Sequence, residues 1–303
     1  MKFENTRVYN FEKALHGMRN PKNSWNLSDS EYGVCKLCEL KDAPDWSQII
    51  AFYSDNSKDK STARIDETES WIGKINYVEW VKIGPNDMKL ATTLIRSGSC
   101  HSKFARQIFV TVDITAPLYF WKEMSTYCVG CTYNSTSTMH KLASTPITKE
   151  CFEMDDYDTS DEEMNKDWEK EIEYLESLRQ KFNETGNKKY WKQLVRRLPD
   201  SWLQTRTSTF NYKVLIDMCS SDQRRNHKLN EWSGLDKPEV KEYFIKWARS
   251  LPYAKELIFF DEYLGIKRIT LDNRQIEYLV SKGIDIMNLN KQIKDEGWEP
   301  SVK

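Results

Sequence analysis

QIFVTVDITAPLYFW, residues 107 to 121, is the stretch on which the reading of the fold turns. Ile108, Val110, Val112 and Ile114 fall on alternate positions, the two-residue period of a strand with one face in a core. Pro117 has no N–H to offer a neighbouring strand, so the pattern predicts a strand over 107 to 115 that stops at Ala116-Pro117. Beyond it the chain reaches TYNSTSTMHKL at 132 to 142, a run of hydroxyls, an amide, a thioether and an imidazole close behind so much apolar surface. Convergent polar groups beside an apolar wall are what a binding pocket needs, and strand exits are where such pockets gather.

Working outward, NDMKLATTLIRSG (86 to 98) reads as a helix with Met88, Ala91, Leu94 and Ile95 on one stripe and Gly98 as its stop. Towards the N-terminus, TRVY reads as a short strand, then a helix capped by Asn10 carries Phe11, Leu15 and Met18 on one face until Pro21. Residues 40 to 83 read as irregular, a surface insertion dominated by the polar run DNSKDKSTARIDETES. In the second half, Ser160 and Glu163 form a capping box ahead of a helix striped by Trp168, Ile172, Leu175, Leu178 and Phe182. Leu198-Pro199 ends the next helix, a Thr-rich stretch bridges, and FNYKVLIDM opens another. EYFIKWARSL and QIEYLVSKGIDIMNLNKQI read as helices of a C-terminal extension over 236 to 303. The sum is a single α+β domain over 1 to 303, a central sheet containing the 107 to 115 strand covered by helices.

Charge narrows the function classes. Lys and Arg number 45 against 46 Asp and Glu, so there is no global field to draw in a polyanion, and nucleic acid is not an expected partner. The N-terminal MKFENTRVYNFEKAL has no apolar core of a leader, and no later window is apolar enough for a membrane span, so the expected location is the cytoplasm. Seven cysteines, an odd number, fit reduced thiols. Cys35-x-x-Cys38 and Cys128-x-x-Cys131 could together supply four thiolates to zinc, which makes a zinc-stapled interaction module one reading of the chain.

Two clusters could carry chemistry: the hydroxyl, amide and imidazole group from Asn134 to Lys141, and the cationic group from Arg224 to Lys228. Hydroxyls and a guanidinium suit a phosphorylated ligand, and Tyr127 or Tyr133 could lie against a ring. No phosphate-binding glycine loop, nucleophile elbow, zinc-protease motif or dinucleotide fingerprint is present.

The order LIRSGSCHSKFARQIFVTVDITAPLYFWKEMSTY, NSTSTMHKL, LPDSWLQTRTSTFNYKVL and RRNHKLNEW resembles the flavin-dependent thymidylate synthases over about 86 to 142 and 190 to 235. That family carries a strand ending in Ala-Pro, an Arg-His-Arg motif, a Ser-x-Arg-Tyr motif, then Leu-Pro, a Thr-rich approach to an Asn, and a later Arg. The resemblance implies transfer of a one-carbon unit from methylenetetrahydrofolate to carbon 5 of dUMP, with FAD reduced by NADPH supplying the hydride. It also implies a homotetramer with sites built between subunits. Together with the residue chemistry it makes Asn134, Ser135, Ser137, His140, Lys141, Arg224 and Arg225 the candidates for a pyrimidine nucleotide, of which Ser137 and Arg224 or Arg225 fall on family positions. It assigns His101, Gln107, Tyr127, Asn211 and His227 to the flavin. The chain departs from the family where Thr126-Tyr127-Cys128 replaces Arg-His-Arg and where Met139-His140 replaces Arg-Tyr. Two readings therefore stand beside the zinc module: a divergent enzyme of this type, compensated by other cations such as Arg106, Lys122 or Lys141, and a nucleotide-binding or sequestering protein on the same scaffold without flavin chemistry.

Overall fold

The computed structural model describes residues 1–36, 49–54, 75–127, 129–154, 160–219, 222–235, 241–265, 267–271, 281–282 and 298–302. In chain order, β1 (Lys2–Tyr9) leads into α1 (Phe11–Arg19), which buries Phe11, Ala14, Leu15 and Met18. Asn10 does not cap α1 through its side chain. It sits in the left-handed region at φ 71°, and its amide donates to the backbone oxygen of Gln107, tying α1 to the turn before the next core strand. β2 (Glu31–Lys36), β3 (Ile49–Ser54) and β4 (Ile75–Lys82) form a three-stranded antiparallel sheet with β4 in the middle. The expectation that residues 40 to 83 are irregular is thus corrected for 49–54 and 75–82. IIAFYS and INYVEWVK are rich in β-branched and aromatic residues, a strand signal masked in the sequence by the polar run between them.

α2 (Pro85–Arg96) comes next, with Pro85 at its first position, where a missing N–H costs nothing. The turn 102–107 then feeds β5 (Phe109–Pro117), two residues later at each end than the pattern suggests. Ile108, Val110, Val112 and Ile114 are all at most 1% exposed, so the alternation has the predicted sense. α3 (Leu118–Met124) starts at once after Pro117, and β6 (Thr132–Ser135) and the single turn α4 (Thr138–Lys141) complete this half.

α5 (Glu162–Thr185) and α6 (Lys188–Arg197) form a hairpin. The cap of α5 is Asp161, whose carboxylate accepts the Met164 N–H at 2.9 Å, rather than Ser160. Of the predicted stripe, Ile172, Leu175 and Leu178 are buried, and with Leu142, Ile147, Phe152 and Leu194 they make a second apolar cluster of their own.

The Thr-rich stretch expected to bridge two helices is instead β7 (Leu203–Asn211). It pairs antiparallel with β5 along its whole length, so the main sheet runs β1-β5-β7-β6. Thr205, Thr207 and Thr209 lie on the face away from the core, where Thr205 meets Thr115 at 2.7 Å and Thr207 donates to Asp113 at 2.6 Å. Gln204, Ser208 and Phe210 lie on the buried face. A strand whose three central outward positions are threonine and whose inward ones include Gln204 and Ser208 shows little hydrophobic contrast, which is why the sequence hides it.

After β7 come α7 (Tyr212–Cys219), the short helices α8 (Asp222–Arg225) and α9 (Asn230–Ser233), and α10 (Phe244–Arg249). A π-helical turn at Ala254–Ile258 and α11 (Phe260–Tyr263) close the main core beneath the sheet. The C-terminal extension is not all helical: β8 (Lys267–Leu271) and β9 (Trp298–Val302) pair in parallel. The helix expected around 275 to 293 lies outside the described residues apart from Ser281 and Lys282. So do Cys38 and Cys128 of the two C-x-x-C pairs, while Cys35 and Cys131 are each partly exposed. No helix among the described residues is long and apolar enough to cross a membrane.

Candidate functional site

The polar residues of the site gather at the C-terminal end of β7, where Asn211 pairs with Phe109 at the start of β5. Asn211, the last residue of β7, is buried and works at both ends: its Oδ1 accepts the Val214 N–H at 3.0 Å, starting α7, and its Nδ2 donates to the Gly130 oxygen at 3.3 Å. Gly130 is at φ 80°, and a Cβ there would stand 2.2 Å from Asn211 Nδ2, so only glycine lets the 129–131 loop seat on this amide.

Directly above, α3 burying Phe120 and Trp121 leaves Glu123 on its open side. Glu123 Oε1 takes the Arg224 guanidinium at 3.4 Å and His227 Nε2 at 3.3 Å. His227 Nδ1 accepts the Leu229 N–H at 3.1 Å, which leaves Nε2 as the protonated nitrogen facing Glu123. The Tyr127 ring stacks on Trp232 at 5.6 Å, and the Arg224 guanidinium lies over the same ring with Cζ 5.0 Å from its centroid. Burial pushes the Tyr127 hydroxyl up to about 12, Arg224 opposing the shift and Glu123 adding to it. Tyr119 donates to Glu231 on α9.

Three side-chain atoms at this place are buried without a hydrogen-bond partner among the described residues: Tyr127 Oη, Trp232 Nε1 and Asn230 Oδ1. An unsatisfied buried polar atom costs about 1–3 kcal/mol, so two donors and an acceptor within one short stretch of the fold form an unusual concentration. A planar heterocycle with carbonyl and N–H edges has the groups to satisfy them.

Of the residues picked from sequence, the structure therefore brings together Tyr127, Arg224 and His227, with Asn211 supporting the adjoining loop. Arg225 points elsewhere: its guanidinium clamps Asp261 at 2.9 Å and Glu262 at 3.0 Å and reaches the Cys219 oxygen. Asn134 and Ser135 are exposed on the edge strand β6, and Ser137 caps α4 by accepting the His140 N–H at 3.2 Å, with His140 and Lys141 exposed. His101 is exposed and lines a cleft of about 800 Å³ between the end of α1 and α2, with Arg19, Asn20, Lys103 and Phe104. Gln107 is exposed beside Gly17. Glu123, Asn230 and Trp232 are not among the site residues picked from sequence, although they lie within the segments that carry the resemblance; their signal in the sequence is an acid near the end of the helix after Pro117 and the Asn-Glu-Trp that closes the cationic run.

Among solved structures, the chain is similar to the flavin-dependent thymidylate synthase ThyX of Helicobacter pylori complexed with FAD and dUMP, at 14% identity and a TM-score of 0.49, covering 86% of this chain and 99% of that one. It is also similar to the UMP/dUMP methylase PolB of Streptomyces cacaoi bound with 5-Br dUMP, at 17% identity and a TM-score of 0.39, covering 57% of this chain and 80% of that one. No protein-family model matches the chain, and no curated protein does.

Proposed function

We propose that this chain binds a pyrimidine nucleotide and acts as a thymidylate synthase-like enzyme, moving a one-carbon unit from methylenetetrahydrofolate to carbon 5 of dUMP with FAD and NADPH. The observation that carries the reading is the Tyr127–Trp232 stack with its unsatisfied hydroxyl and indole N–H, placed beside Glu123, Arg224 and His227. This donor set fits planar rings: the stacked aromatics offer faces, the orphaned atoms offer edges, and Arg224 offers charge to a neighbouring phosphate. Tyr127 and His227 would hold the flavin ring, and Glu123 fixes both Arg224 and His227 in place. FAD, when bound, supplies the reduction; the protein's share is orientation and exclusion of water. The reading includes a homotetramer, as the resemblance to the flavin-dependent thymidylate synthases implies.

A second reading, nucleotide capture without flavin, is favoured by one observation. Arg225 is consumed by Asp261 and Glu262 and Arg224 shares Glu123, so neither arginine of the cluster offers an unshared charge to a pyrophosphate.

The test is visible absorption of the purified protein with and without added FAD, thermal shift with dUMP, and the solution mass. Flavin absorption, stabilisation by dUMP and a mass near four times 35.9 kDa are expected. Stabilisation by dUMP in a protein that takes up no FAD would move the assignment to the second reading, and failure of every pyrimidine nucleotide to stabilise the chain would end both.

A further inference from the structure

Arg206 stands out among the half-buried cations. Arg19, Arg179, Arg224 and Arg225 each face a carboxylate: Asp87, Glu176, Glu123 and Asp261. Arg206 projects from the middle of β7 on the core side of the sheet, level with Ile114 of β5 and with Ser135 of β6, and no carboxylate lies within ion-pair reach among the described residues. Burial pulls its basicity down, and the group that opposes this is the Tyr133 phenol. A cation taken out of water without a counter-charge is a net cost to the fold, so its presence needs another explanation.

Its surroundings hold it in a fixed pose. The guanidinium lies on the Trp121 ring, Cζ 4.4 Å from the centroid, and its Nε donates to Gln204 Oε1 at 3.0 Å. The same Gln204 amide donates from Nε2 to the Thr136 oxygen at 2.9 Å, and Trp121 Nε1 donates to the Gln204 backbone oxygen at 3.0 Å. Gln204 thus couples the guanidinium to the turn joining Asn134 and Ser135 to Ser137. With Nε engaged, the two terminal nitrogens remain, the fork that binds phosphate oxygens in pairs.

We propose that Arg206 is the phosphate anchor of the nucleotide at the 134 to 141 rim, filling from β7 the part left vacant by Met139. This rests on the nucleotide-binding reading above but places the charge on a residue that the motif order does not assign.

The experiment compares dUMP, deoxyuridine and inorganic phosphate binding to the full-length protein, by titration calorimetry and thermal shift, in wild type, Arg206→Gln and Arg206→Lys. Wild type should prefer dUMP to deoxyuridine by tenfold or more; Arg206→Gln should lose that preference and keep its affinity for deoxyuridine, with Arg206→Lys between them. An unchanged preference for dUMP in Arg206→Gln overturns the anchor and leaves nucleotide binding standing. Arg206-dependent stabilisation by inorganic phosphate in a protein that ignores dUMP and deoxyuridine would retain the anion site and remove the nucleotide reading. No response to any of the three ends both.

Discussion

At the scale of single residues, Asp87 on α2 shows how much one buried carboxylate can organise. It is fully buried, takes Arg19 Nε at 2.6 Å, and accepts the hydroxyls of Ser28 and Ser30 at 2.6 Å each. Burial pushes its pKa up, but those hydrogen bonds and the Arg19 charge outweigh it and leave the carboxyl below its ordinary range. Glu176 is lowered to about 2, first by its hydrogen bond with Arg179, and its partner loop is reached through the Ile147 N–H. Groups depressed in the folded state give their full stabilisation at neutral pH and lose it as the pH falls below the unfolded carboxylate value, for Glu176 from 4.5 towards about 2. Denaturation midpoints measured at pH 7, 4 and 3 should therefore fall steadily. Asp87→Asn should lose about 3–5 kcal/mol at pH 7, because Arg19 stays buried without its charge partner, and the variant's midpoint should vary less with pH than that of the parent.

At the scale of elements, the start of α2 is fixed from outside the helix. Asp29 accepts the N–H groups of Asn86 and Asp87 at 2.8 and 3.0 Å, satisfying two of the donors a helix leaves free at its first turn. Gly84 packs so tightly on this residue that a Cβ would lie 2.2 Å from Asp29 Cγ and 2.3 Å from its backbone oxygen. Gly84→Ala should cost about 1–3 kcal/mol and Asp29→Ala about 1 kcal/mol, both read by chemical denaturation, with faster amide exchange at Asn86 and Asp87. Neither dependence is visible in NDMKLATTLIRSG, whose stripe reveals the helix but not the distant cap. β5 is legible because its inward residues are all aliphatic. β7 is not, because its outward residues are threonine and its inward ones include Gln204, Arg206 and Ser208, so polarity does not alternate. The anchor proposed for Arg206 depends on β7 being a strand, since a charge facing inwards has no meaning in a loop.

At the scale of the whole molecule, the sequence locates the rim and the cationic run but not the relation between them. Tyr127 and His227 are a hundred residues apart in the chain, and what unites them is the meeting of α3 with the segment around α9, anchored by Glu123 and Trp232. Single-chain patterns report periodicity along an element; they carry nothing about which ends of two elements coincide. The same limit explains Arg225, which looks like its neighbour Arg224 in sequence and is separated from it by Asp261, a residue 36 positions further on.

The two apolar clusters differ in the distance along the chain that their contacts span. The cluster around α5 and α6 joins helices adjacent in sequence, with Leu175 and Leu178 against Leu194. The main sheet pairs Lys2 with Thr115, Pro117 with Leu203 and Ser135 with Arg206, so each of its ladders closes a loop of roughly seventy residues or more. Loop closure of that kind slows folding, while local helix pairing is fast. The molecule should therefore assemble in two kinetic stages, and pulse-labelled amide exchange during refolding should protect 162–197 before 109–117 and 203–211. The polar rim at 134 to 141, begun by β6 on the edge of the late sheet, then forms after most of the chain is already in place.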